Sequence, residues 1–147
     1  MPATLHLIKL CVGVDSVAEL DAWRSERRME AAVKGQPWRS IHVTHWGPKR
    51  AQEILAGGSL YWVIKGLVQV RQQVIGFEPV SIGDGITRCA IVMDPELMQT
   101  SIVPRRPFQG WRYLLAKDAP PDIGRYVPGE GDLPAQLRAG LAEFGVL

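Results

Sequence analysis

From Val68 onward, Val68 and Val70 alternate with Gln69 and Arg71 within Leu67–Val80, the two-residue period of a strand with one face on a core and the other in water. Just before it, Leu60-Tyr61-Trp62-Val63-Ile64 is an unbroken aromatic and branched run with the composition of a buried strand. A short helix should lead into that run. Pro48 suits a first helical position, Lys49 to Ala56 are mostly good helix formers, and Gly57-Gly58 supplies a left-handed stop. The stretch from Pro48 to Phe77 therefore predicts helix, strand and strand at the centre of the fold.

The flanking segments follow the same rules. Leu5 to Val14 reads as a buried strand. Ser16 with Glu19 forms a capping-box pattern opening a helix to about Ala32, with Val17, Leu20 and Trp23 as its apolar stripe. Glu26, Arg27, Arg28 and Glu30 wet the far side, and Gly35-Gln36-Pro37 breaks the helix. Ile41 to Trp46 alternates as a strand; Ile41, Val43 and His45 are expected to face the core, and His42 to line a pocket. Asp84-Gly85 signals a hairpin between Val80 and the return strand Ile86–Met93. Asp94-Pro95 opens a turn, and Ser101–Leu115 gives two extended segments broken around Pro107 and Gly110, with Pro104 and Pro107 favouring an edge. After Lys117, Pro and Gly mark a surface-hugging tail that Leu133–Phe144 closes with a short helix. One α+β domain over residues 1–147 results, with its core at about 5–116 and a mainly antiparallel, barrel-like sheet.

A chain of 147 residues, 46% hydrophobic and 22% charged, can bury a full core without disulfide or metal staples. Cys11 and Cys89 both sit in apolar runs, and two buried thiols in a reducing compartment are expected. No apolar run approaches the ~18 residues of a membrane span, and MPATLHLIKL lacks a secretory pattern, so the expectation is a cytoplasmic protein with no membrane association. Net charge is only +2, yet residues 31–112 hold ten Lys/Arg against five Asp/Glu. A basic middle points to an anionic partner.

Catalytic signatures are absent. His42 and His45 fall on opposite faces of a strand, and with His6 as the remaining histidine no metal set converges. Ser59 lacks the G-x-S-x-G context, Cys89 has no nearby base, and no phosphate-binding glycine loop occurs, so neither a cofactor nor an enzyme is expected. An alternative is a small ester or amide hydrolase with His42 as base and Ser59 or Cys89 as nucleophile. Basic and aromatic residues form the stronger constellation: Lys49, Arg50, Tyr61, Trp62, Lys65, Arg71, Arg105, Arg106, Gln109, Trp111 and Arg112. Guanidiniums grip phosphates, indoles stack bases and an amide such as Gln109 reads a base edge. Lys49 and Arg50 at a helix N-terminus also work against the helix dipole unless an anion or carboxylate neutralises them. RNA or a nucleotide is the expected partner; a non-catalytic protein-interaction subunit is a further alternative.

The segments LHLIKLCVGVDS, PKRAQEILAGGSLYWVIKG, RCAIVMDPEL and PRRPFQGWRYL resemble a small bacterial family of unknown function over roughly Leu5 to Ile123. That resemblance transfers no catalytic residues. More loosely, the glycine-ended helix Lys49–Gly58, the strand after it and VIGFEPV are similar to the PUA-like superfamily, which includes the ASCH and EVE domains. The likeness implies an open β-barrel flanked by short helices and an association with RNA or modified bases. The ASCH pattern of Lys, Glu and Arg after a glycine is not met, because Gly58 is followed by Ser59-Leu60-Tyr61-Trp62-Val63 and no acid stands before Glu78. Binding, rather than amidohydrolase chemistry, is what the resemblance implies.

Overall fold

A computed structural model describes residues 5–128. In chain order the elements are β1 (Leu5–Leu10), α1 (Val17–Val33), β2 (Ser40–Thr44), α2 (Ala51–Leu55), β3 (Ser59–Ile64), β4 (Leu67–Ser81), β5 (Thr87–Met93), β6 (Met98–Pro104), β7 (Trp111–Leu115), a 3-10 turn (Ala116–Asp118) and β8 (Asp122–Arg125). The expected α+β class holds. The tail expected after Lys117 supplies β8, exposed along its length but paired to β6, while the helix expected at Leu133–Phe144 lies outside the described residues.

One mixed, eight-stranded sheet runs β2-β5-β4-β3-β1-β7, with β6 and β8 branching from β4. Among the described residues only β1 and β3 pair in parallel; the other ladders are antiparallel. The 15-residue β4 serves two neighbourhoods because it is bulged: its first half pairs β3 and β6, and after a register shift at Val74/Gly76 its second half pairs β5. Such bulges bend a strand and sharpen its twist. Among the described residues no ladder joins β2 to β7, so the sheet is not closed; the Trp111 indole N–H donates to the Trp46 carbonyl (2.8 Å) across the gap.

The regular alternation at Leu67–Arg71 does not mark one dry and one wet face. Register shifts at Trp62/Val63 and Val68/Val70 send Val70 into the main core with Leu5, Leu7, Leu60, Trp62 and Ile91, and Val68 into a second cluster with Ile8, Tyr61, Val63 and Leu114. Phe108 and Ala119 help to cover that second face. Both faces of β3 are therefore buried, and Gln69 is drawn inside with its amide donating to the Ile64 carbonyl (2.9 Å). A buried amide is tolerated there because it has a partner.

Local signals explain the joints. Ser16 caps α1 by accepting from the Glu19 N–H (3.0 Å), and the Glu19 carboxylate accepts from the Asp15 N–H (2.7 Å) rather than from the cap residue itself. The inward face of α1 is Val17, Leu20 and Arg24, whereas Trp23 stays 48% exposed with the Arg27 guanidinium 4.7 Å from its ring. Of the two glycines ending α2, Gly57 takes the left-handed conformation (φ 109°). Gly58 is required for space: a Cβ there would lie 2.4 Å from the Leu5 carbonyl oxygen and 2.6 Å from that of Ile54.

Candidate ligand-binding site

Several of the basic and aromatic residues are committed to holding the fold. The Arg71 guanidinium makes a two-pronged pair with Asp122 (2.7 and 2.6 Å) and donates to Ser59 Oγ (2.9 Å). Those donors hold the Asp122 carboxyl below its ordinary range. Arg50 is likewise clamped on Glu53 (2.5 and 2.7 Å), the neutralising carboxylate that a cation at this helix start calls for. Trp62 is sealed inside, its indole N–H donating to Gln72 Oε1 (3.0 Å). Tyr61 is buried edge-on to the His6 ring (5.1 Å). The expected stacking role of Trp62 and the phosphate roles of Arg50 and Arg71 thus give way to internal partners. Lys49 is exposed beside α2.

Four cations behave differently. Lys65 (φ 52°) and Gly66 (φ 75°) form the two-residue turn between β3 and β4, a left-handed pair that twists with the strands. The Arg105 N–H donates to the Gly66 carbonyl (2.8 Å), which brings the segment after β6 against that turn. Arg112 joins them through a shared ring: the Phe108 centroid lies 5.8 Å from the Arg105 guanidinium and 5.4 Å from that of Arg112. Lys65, Arg105, Arg106 and Arg112 are exposed, and none pairs with a carboxylate among the described residues. Sequence reasoning missed the part of Phe108, although it stands inside the basic run.

Gln109 and Trp111 lie nearby in a groove shared with Lys9, His45 and Trp46. Trp111 is half-buried, edge-on to Tyr113 (5.0 Å), while Trp46 is 72% exposed. On β2 the inward residues are Ser40, Thr44 and His42, the last lining a cavity as expected, whereas Val43 is exposed and His45, expected in the core, lies in the open against Trp46. The strand ends at Thr44, so the alternation no longer governs His45.

Beneath α1 a cavity of about 300 Å³ lies against the sheet. His42 projects into it, edge-on to Trp62 (5.1 Å), with its Nε2 buried and unpartnered. Burial, then the nearby Lys9 charge, push the His42 pKa down to about 4, so the ring is neutral at pH 7. Burial likewise lowers Lys9 and raises the Cys11 thiol to about 11. Gln72 closes the inner wall, donating to Ser40 Oγ (2.9 Å) and the Asp94 carbonyl (3.0 Å) while accepting from Trp62.

The three residues of the hydrolase alternative sit in different surroundings. Ser59 is fully buried, with its hydroxyl taken by Arg71 and its N–H by His6 Nδ1 (3.0 Å). Cys89 lies against Gly47 in a groove with His45, its thiol raised by burial, while His42 faces the cavity. Neither nucleophile is activated. Cys11 and Cys89 are half-buried free thiols. Among the described residues no group of three or more His, Cys, Asp or Glu could hold a metal ion, and no helix is long and apolar enough to cross a membrane.

No curated protein and no solved structure matches the chain. A family model described as "Protein of unknown function (DUF1489)" matches residues 7–147. The bulged sheet, the basic turn and the cavity are therefore features of a chain that belongs to the DUF1489 family.

Proposed function

We propose that this is a cytoplasmic protein that binds RNA or a nucleotide through the basic end formed by Lys65, Arg105, Arg106 and Arg112 around Phe108. One observation carries the reading: four exposed cations from three separate segments meet at one end of the sheet with no carboxylate to neutralise them among the described residues. Like charges brought together repel, and a polyanion relieves that repulsion while releasing its own counterions. Gln109 and Trp111, next along the same loop and strand, supply an amide and a half-exposed indole for a base. A PUA-like open barrel accords with the bent, mixed sheet and its two helices.

The test is a fluorescence-anisotropy titration of a labelled single-stranded RNA across a salt series. With four phosphate contacts the log–log slope should approach about −3, since each contact on a single strand contributes about −0.7. Absence of binding, or a slope near zero, would reject the reading.

A further inference from the structure

We propose that the cavity beneath α1 is a binding site for a small organic acid, its apolar body packed against Leu20, Ile41, Trp62 and Met93 and its carboxylate held by Lys9 Nζ and His42 Nε2. Lys9 also borders the groove of Gln109 and Trp111, but none of Lys65, Arg105, Arg106 and Arg112 lines the cavity, and the proposal does not depend on the RNA reading.

The lining is mostly apolar, and none of its residues is an aspartate or glutamate. Its polar side chains divide into two groups. Gln72, Ser40 and the Trp62 indole satisfy one another and the Asp94 carbonyl, so they are already used. Arg24 is used in part, donating to the Pro95 carbonyl and lying 3.5 Å from Asp21, although its Nε is buried without a partner. Lys9 and His42 Nε2 remain beside it. The ammonium of Lys9 has no hydrogen-bond or acid partner among the described residues, and His42 Nε2 is buried with none. Buried polar atoms in native proteins find partners, so His42 Nε2 left open against the cavity, with the half-buried and acid-free Lys9 lining the same space, points to a missing acceptor.

Charge selects the kind of acceptor. A cationic ligand would face Lys9 without compensation, and a neutral one would leave the ammonium unpaired in a partly desolvated place. A carboxylate supplies the counter-charge to Lys9 and accepts a hydrogen bond from a neutral imidazole carrying its proton on Nε2. The chamber of about 300 Å³ sits at the small end for ligand pockets, which suits a single ring or a short chain. Cys11 in the wall stays a protonated thiol, so the chamber holds its guest without attacking it.

Isothermal titration of the full chain with phenylacetate and with phenylacetamide tests this without any variant. The acid should bind at least about tenfold more tightly than its uncharged isostere, the factor expected of one charge-assisted contact. Equal binding of the two, or no heat from the acid at millimolar concentration, overturns the proposal. Lys9→Met, which keeps the stem and removes the charge, should erase the preference for the acid; a preference that survives also overturns it. In a proton NMR titration the His42 ring signals should move on adding phenylacetate and stay still with the amide at equal concentration. The double variant Arg105→Ala/Arg112→Ala should retain acid binding whatever becomes of RNA binding, so the two proposals fail separately.

Discussion

The cavity beneath α1 and the basic end around Phe108 treat polar side chains in opposite ways. In the cavity Gln72, Ser40 and Trp62 are desolvated and locked in one geometry by bonds of 2.9 to 3.0 Å. At the basic end Lys65, Arg105, Arg106 and Arg112 keep their water, and Arg105 and Arg112 lean on one ring. A buried network is costly to break because each stripped partner is stranded away from water. A hydrated cation is cheap to remove, since it owes little of its stability to the fold. Arg71 stands between the two, half-buried and clamped on Asp122. The contrast separates residues that hold the protein from residues left available to a partner.

Gln72→Ala should show the largest effect. It strands the Trp62 N–H, the Ser40 hydroxyl and the Asp94 carbonyl and leaves a hole, for a loss of about 4 kcal/mol in denaturant unfolding. A loss no greater than that of an exposed residue would mean the network is wet.

Acid should act next, through His42. The folded protein keeps this ring neutral down to about 4, while an unfolded chain takes up the proton near the ordinary 6.5. Stability is therefore full above that ordinary value and falls as the pH drops from there toward about 4. The loss should reach up to ~3 kcal/mol, and His42→Phe should flatten that part of the pH profile.

Arg71→Met should cost about 1–2 kcal/mol and let the Asp122 carboxyl return toward its ordinary range, which NMR titration would follow. The Arg71–Asp122 pair stabilises the fold above the ordinary carboxylate range and loses that contribution as pH falls through the lowered value.

Smallest for stability is Arg105→Ala/Arg112→Ala, expected to stay within about 0.5 kcal/mol of the parent. The same change should make the salt slope of RNA binding shallower by about 1.4. A large loss of stability with an unchanged slope would reverse the roles assigned to the two regions.

Much of the secondary structure was legible because its causes are local. Ser16 with Glu19 opens α1, Gly57 ends α2, and Asp84-Gly85 sits in the turn between β4 and β5. The same local reading misplaced Trp23 against Arg24 and put Val43 and His45 of the β2 region in the core, since a period says which residues share a face but not which face meets the core. Nor did the alternation along Leu67–Arg71 disclose the bulge that divides Val68 from Val70.

By itself the sequence determined the order and type of most elements, the surplus of cations in the middle of the chain and the lack of a catalytic motif. Only the tertiary structure decided that Arg71 meets Asp122 across 51 positions, that Arg105 reaches the Lys65–Gly66 turn, and that Lys9 and His42 come to line one cavity. Caps and turns arise between residues a few positions apart, which the chain's own spacing records. Partnership between distant side chains depends on strand register and bulges, and these are settled only when the whole sheet packs.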